Sequence, residues 1–365
     1  MFVIPQKMNV PRIKLEGRAF YHCISRVVDR RIVFHADEKE VFRSILRKLE
    51  TFTGVRVVTY CLMGNHFHLL LEVPERGSLP ALDATRLFEI LPLLYDKATV
   101  ETIAAELDMA RKAGDLTHEK NLLERYEHRR GDLSVFLKEL KQRVSIFINR
   151  RLGRAGTLWE GRFKSVLVEG GEAALETVAA YIDLNPVRAG LVDRPEEYRW
   201  SGYGEAMGAG RGARKAREGL GAIGREALEN PGITAPWETI QERYRRLLYL
   251  EGYRRLLYLE GVEIHGDELT GEGARRGIAR EEVDRVVEGR APMSKPEILR
   301  RKVRYFTDGA VLGSTAFLEQ VFQRLRAQNR IGRKRHSGAR RMRGADWGEL
   351  RVLRDLRERV FDRSE

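Results

Sequence analysis

Two histidines, His66 and His68, stand two residues apart in Cys61-Leu62-Met63-Gly64-Asn65-His66-Phe67-His68-Leu69-Leu70-Leu71-Glu72. Residues 55–63 read as a strand, Gly64-Asn65 as a tight turn, and 66–73 as the returning strand. Side chains two apart on a strand share a face. Both imidazoles therefore point one way, and Phe67 points the other way, into a core. The chain has only 8 histidines, and two of them meet on this one face. Neutral imidazole ligates Mn²⁺ and similar divalent cations. The competing reading is a histidine pair on a solvated strand face.

A second chemical group lies downstream, in Ala174-Leu175-Glu176-Thr177-Val178-Ala179-Ala180-Tyr181-Ile182-Asp183-Leu184-Asn185-Pro186-Val187. Leu175, Val178, Ala179 and Ile182 recur at helical spacing and make a core stripe. Tyr181 lies about 110° from the middle of that stripe, at its edge. Asn185 follows at i+4, on the same side. Pro186 disfavours helical geometry at Asn185 and predicts a kink or end there. A phenol can attack phosphorus, and an amide oxygen can complete a metal shell. Alternatively, Tyr181 is a core-edge residue and Asn185 caps the helix.

Residues 17–205 resemble the REP-associated tyrosine transposases, a branch of the single-tyrosine HUH transposases. Four segments carry the resemblance, in the family's order: Tyr21-His22-Cys23-Ile24-Ser25-Arg26, Met63-Gly64-Asn65-His66-Phe67-His68-Leu69, Gly156-Thr157-Leu158-Trp159-Glu160-Gly161-Arg162-Phe163-Lys164, and Tyr181-Ile182-Asp183-Leu184-Asn185-Pro186-Val187-Arg188-Ala189-Gly190-Leu191-Val192. Tyr198-Arg199-Trp200-Ser201-Gly202-Tyr203 closes the region as in the family. The resemblance implies that His66 and His68 are metal ligands, Tyr181 the nucleophile and Asn185 a third ligand. It implies a divalent cofactor, Mg²⁺ or Mn²⁺, and a 5′-phosphotyrosine intermediate on single-stranded or hairpin DNA. One departure is visible: the family often follows Ser-Arg with Gly-Asn-Asn, whereas this chain has Val27-Val28-Asp29. Three other readings stay open: a rolling-circle replication or mobilisation nuclease, a non-catalytic DNA-binding regulator with a relict site, and a histidine-metal hydrolase.

Composition agrees with a nucleic-acid partner. Lys+Arg 66 against Asp+Glu 53 gives a net charge of +13, which phosphate backbones reward through counterion release. Arg26, Trp159, Arg162, Lys164, Arg333, Lys334, Arg335, Arg340 and Arg341 are the expected DNA contacts. The N-terminus lacks the apolar run of a signal peptide, and no stretch of about 20 uncharged apolar residues predicts a membrane span. A cytoplasmic, nucleoid-associated bacterial protein is the corresponding expectation, with monomer and homodimer both open. Cys23 and Cys61 are the two cysteines; they fall in strands without zinc-type spacing and read as reduced core thiols.

The elements that must position these groups predict an α+β fold. Residues 20–28 form a strand. Residues 37–52 form a helix with Val41, Phe42, Ile45, Leu46 and Leu49 inward, ended by Gly54. The histidine hairpin follows. Residues 133–151 form a second helix burying Phe136, Leu137, Leu140, Val144, Phe147 and Ile148. A strand at 162–169 and the tyrosine helix complete a ferredoxin-like β-α-β-β-α-β-α order. Residues 76–131 interrupt it as a helical insertion, so that residues 1–205 make one unit.

Residues 206–223 are Gly- and Arg-rich and read as a linker. A mainly helical region, 224–365, follows. Within it, residues 244–252 recur unchanged at 253–261, which suggests a recent duplication. Ser294 starts a helix through about Phe306, and Ser314 caps another through about Ala327, as a helix-turn-helix or an ordinary helical hairpin. Arg330, Arg333, Lys334, Arg335, Arg340, Arg341 and Arg343 crowd the segment 330–343, which is a phosphate-binding arm or a solvated tail.

Overall fold

The computed structural model describes residues 13–224, 235–249, 306, 310–328, 330, 339–342 and 347–353. The first strand, β1 (Ala19–Arg26), leads through helix α1 (Ala36–Thr53) to β2 (Arg56–Leu62) and β3 (His66–Val73). The amphipathic pattern read for α1 holds: Phe42, Leu46 and Leu49 are fully buried. Gly54 ends the helix in the left-handed region at φ 72°, a conformation that costs glycine nothing.

Three helices follow, α2 (Ala84–Ile90), α3 (Lys97–Lys112) and α4 (Leu116–Glu127). Each starts at an aspartate whose carboxylate accepts from a backbone N–H of the first turn: Asp83 from Arg86, Asp96 from Thr99 and Asp115 from His118. These caps satisfy amides that the helix itself cannot. Leu87, Leu91, Ile103, Leu107, Leu122 and Tyr126 give the insertion a core of its own, with Phe52 of α1 as its contact to the sheet domain.

Helix α5 (Leu133–Arg151), strand β4 (Lys164–Val168) and helix α6 (Glu172–Asp183) complete the core. β1 pairs antiparallel with β3 and β4, and β2 antiparallel with β3. The spatial order β2-β3-β1-β4 is the ferredoxin-like arrangement expected from the sequence. Alternation then sorts side chains to two faces. Tyr21, Cys23, Phe67, Leu69 and Leu71 pack under α1 and α5. Phe20, Cys61, Leu70 and Val166 pack under α6. The two cysteines are free, buried and on opposite faces.

After α6 come the short helices α7 (Asn185–Arg188) and α8 (Gly202–Ala206), then α9 (Gly210–Gly221). The expected linker is therefore corrected: twelve of its residues form a helix laid on β2. Its glycines serve contact. A Cβ on Gly219 would sit 2.2 Å from the Val57 carbonyl oxygen, so only glycine admits this approach.

The C-terminal region is helical in α10 (Trp237–Tyr249) and α11 (Thr315–Ala327), the latter capped by Ser314 as predicted. It also returns to the sheet. β5 (Val311–Gly313) pairs parallel with β4, and β6 (Ala339–Arg341) and β7 (Arg351–Leu353) extend the sheet to the order β2-β3-β1-β4-β5-β7-β6. The first copy of the nine-residue repeat begins in α10. The second copy and the helix predicted from Ser294, apart from Phe306, lie outside the described residues. Among the described residues no helix is long and apolar enough to cross a membrane.

Candidate active site

The histidine strand behaves as its period demands. In the β1–β3 register, His68 stands opposite Ile24 and His66 opposite Arg26. Phe67 faces away, its ring 5.3 Å from Phe42 and 5.5 Å from Trp159. The turn is held from outside: the Val33 and Phe34 amides both donate to the Gly64 carbonyl, and the Val27 amide to that of Asn65.

Hydrogen bonds fix the tautomer of each imidazole. Asn65 Nδ2 donates to the Arg30 carbonyl at 2.7 Å, which leaves Asn65 Oδ1 facing His66 Nδ1 at 2.7 Å. An amide oxygen only accepts, so His66 carries a proton on Nδ1. His68 Nδ1 lies 3.0 Å from His22 Nε2, and His22 Nδ1 lies 2.8 Å from the Phe306 carbonyl oxygen. His22 sits on β1, on the same face, and is fully buried. Burial pushes its pKa down to about 4, with Arg188 adding to the effect and the Phe306 bond opposing it. His68 is pushed down as well, by burial first and then by His22, His66, Arg188 and Arg26. Both are neutral ring ligands or acceptors at neutral pH.

Tyr181 reaches the same place from α6. Its ring centroid is 6.0 Å from those of His22 and His68 and 4.7 Å from that of Phe306. The Arg188 guanidinium lies 4.2 Å from the ring centroid. The residue is 2% exposed, deeper than its place at the stripe's edge implies, because Phe306 and Arg188 cover that edge. Helix α6 ends at Asp183, and Asn185-Pro186 opens α7, the break that Pro186 predicts. Asn185 Nδ2 donates to the carbonyls of Tyr181 and Ile182, and its Oδ1 accepts from Arg188.

The donor set fits a divalent cation in part. Two imidazoles on one face, His66 and His68, each have Nδ1 engaged. Among the described residues no group of three His, Cys, Asp or Glu side chains converges as a metal cage. A cation on this pair would draw its other ligands from the Asn185 amide, once Arg188 yields it, and from phosphate oxygens and water.

The expected DNA contacts divide. Arg26 is half-buried beside His66, and Arg162 and Lys164 are exposed at the start of β4. Trp159 is corrected to a core residue: it is buried, and its Nε1 donates to Lys141 O and Ser145 Oγ. Arg340 and Arg341 are exposed on β6, five strands from β3 and thus about 24 Å across the sheet at ~4.8 Å per strand. Arg333, Lys334 and Arg335 lie outside the described residues. Sequence reasoning missed His22, Arg188 and Phe306. His22 had a signal, since it shares β1's face with Arg26 at strand spacing. Phe306 had none, being 125 positions beyond Tyr181.

Residues 17–82 match the model of the IS200-like transposase family. That segment contains His22, His66 and His68 and stops short of Tyr181. No curated protein sequence matches the chain. Among solved structures, a REP-associated tyrosine transposase bound to a REP hairpin is similar at 14% identity, with 56% of this chain and 92% of that one covered and a TM-score of 0.35.

Proposed function

We propose that this protein cleaves and rejoins single-stranded, hairpin-bearing DNA through a covalent bond to Tyr181, with a divalent cation, Mg²⁺ or Mn²⁺, on His66, His68 and Asn185. One observation carries the reading: the Tyr181 ring stands 6.0 Å from His68, on the strand face that also carries His66, whose ring centroid is 5.2 Å from that of His68. The IS200-like match of residues 17–82 supports the same class of chemistry.

When bound, such a cation polarises the scissile phosphate and offsets its developing charge. The chain's own groups do the rest. Tyr181 loses its hydroxyl proton to solvent and attacks phosphorus in line; the tyrosyl O–P bond forms, the P–O3′ bond breaks, and the 3′ oxygen takes up a proton from solvent and leaves as a hydroxyl. The ester is kept, so the reverse attack by a 3′-OH rejoins the strand without a nucleotide cofactor. Arg188, against the Tyr181 ring, favours the phenolate that forms when the Tyr181 proton leaves, before the oxygen bonds to phosphorus. Arg26, Arg162 and Lys164 hold flanking phosphates, which in a single strand are free to bend into the site.

The burial of Tyr181 under Phe306 favours a second reading, a DNA-binding regulator that does not cleave. Labelled single-stranded DNA from the protein's own genomic flanks separates the two. A covalent adduct on a denaturing gel with Mn²⁺, absent in EDTA, is the expected result. Tight binding with no adduct in Mg²⁺ or Mn²⁺ would instead establish the regulator.

A further inference from the structure

We infer that His22 is a positioning residue for His68: through the Phe306 carbonyl it holds His68 as the Nδ1–H tautomer and aims Nε2 at the cation. The inference rests on the metal-binding reading above.

A hydrogen-bond chain sets this tautomer from one end. The Phe306 carbonyl only accepts, so the His22 nitrogen 2.8 Å from it, Nδ1, must carry a proton. His22 is fully buried, and its two ring nitrogens face a carbonyl oxygen and another imidazole rather than a carboxylate; an uncompensated charge is costly there, so the ring is neutral and His22 Nε2 bears a lone pair. The nitrogen facing it at 3.0 Å, His68 Nδ1, must then donate. His68 Nε2 is left unprotonated, the state that ligation requires. The opposite assignment places two lone pairs 2.8 Å apart, between His22 Nδ1 and the carbonyl, at a fully buried residue. The ring planes of His22 and His68 are 23° apart with centroids 5.2 Å apart, so the bond also limits rotation of the His68 ring. His66 receives the same service from Asn65, which is itself pinned to Arg30. Both rings are thus held through Nδ1. One is set by a local loop and the other by a residue 238 positions beyond it in the chain.

The test uses the full-length protein. Selective ¹⁵N-histidine labelling of the metal-free protein reads the His68 tautomer directly, and Mn²⁺ titration followed by electron paramagnetic resonance reads affinity. Wild type should show His68 protonated on Nδ1. His22→Leu should lose that signature and bind Mn²⁺ about ten- to a hundred-fold more weakly, with circular dichroism unchanged. His22→Gln retains a donor and an acceptor and should recover most of the affinity. His68 protonated on Nε2 in the wild type would overturn the inference, and that result does not depend on any variant folding. So would a folded His22→Leu with wild-type Mn²⁺ affinity. Wild-type protein that binds no Mn²⁺ yet shows the Nδ1–H signature would sink the metal reading itself, and with it His22's role toward a cation.

Discussion

The ring of Phe306 lies 4.7 Å from that of Tyr181 and shuts the phenol away from solvent. Phe306 is itself fully buried, with Trp347 6.0 Å behind it. On the proposed mechanism, DNA would reach Tyr181 only when this ring moves. Phe306→Ala keeps the backbone carbonyl that holds His22 and removes the cover. It should cost about 3–5 kcal/mol of stability and yet raise the rate of adduct formation in single-turnover assays. A folded variant that forms adduct no faster than wild type would show that Phe306 is packing alone.

The arginines of β6 call for a different test from deletion. β7 lies between β5 and β6, so removing the C-terminus would strip strands from the sheet. Arg340→Ala with Arg341→Ala leaves the backbone pairing in place. If both side chains contact phosphates, the slope of log K against log salt should fall by about 1.4, at ~0.7 per contact on a single strand. An unchanged slope would place bound DNA away from this edge.

How the sequence was legible depends on the range of the signal. The histidine hairpin and the tyrosine helix follow from period-two and 3.6-residue alternation, which act within a few residues. β5, β6 and β7 have three residues each, too few for any period, and they form only because β4 offers them an edge. The α9 segment misled because glycine counts alike for flexibility and for close contact. Gly219 is there because Val57 O leaves no room for a Cβ. In the site, His66 and His68 were readable as a pair. His22 reads only as part of the segment 21–26, because its partners, His68 and the Phe306 carbonyl, are distant in sequence.

Asp183, two residues beyond Tyr181, ties the tyrosine helix to its surroundings. It is fully buried and accepts from Tyr244 Oη at 2.6 Å, Thr59 Oγ1 at 2.8 Å and the Tyr203 amide at 3.1 Å. Burial raises its pKa to about 6, against the effect of these bonds. Tyr244→Phe removes one donor to a group that is mostly ionised at pH 7 and should cost about 1.5–3 kcal/mol in denaturant unfolding. Asp183→Ala orphans every partner and should cost more. Equal losses would show that the Tyr244 bond dominates the network.

His22 predicts a pH dependence. Its folded pKa, about 4, lies below its ordinary value of 6.5, so between the two the folded state holds fewer protons than the unfolded state. Its contribution is present above pH 6.5 and is lost as pH falls toward 4, up to about 3 kcal/mol in all. Metal-free wild type should therefore lose stability relative to His22→Gln over that range. A difference between the two that stays constant from pH 7 to 4 would contradict the buried neutral state of His22.

The central claim is a covalent bond between Tyr181 and DNA. Protein incubated with single-stranded DNA and Mn²⁺, digested and mass-mapped, should carry a 5′-phosphonucleotide on the peptide containing Tyr181. Tyr181→Phe removes one oxygen and should bind the same DNA without becoming linked to it. An adduct on another of the 12 tyrosines, or one that persists in Tyr181→Phe, would contradict the account.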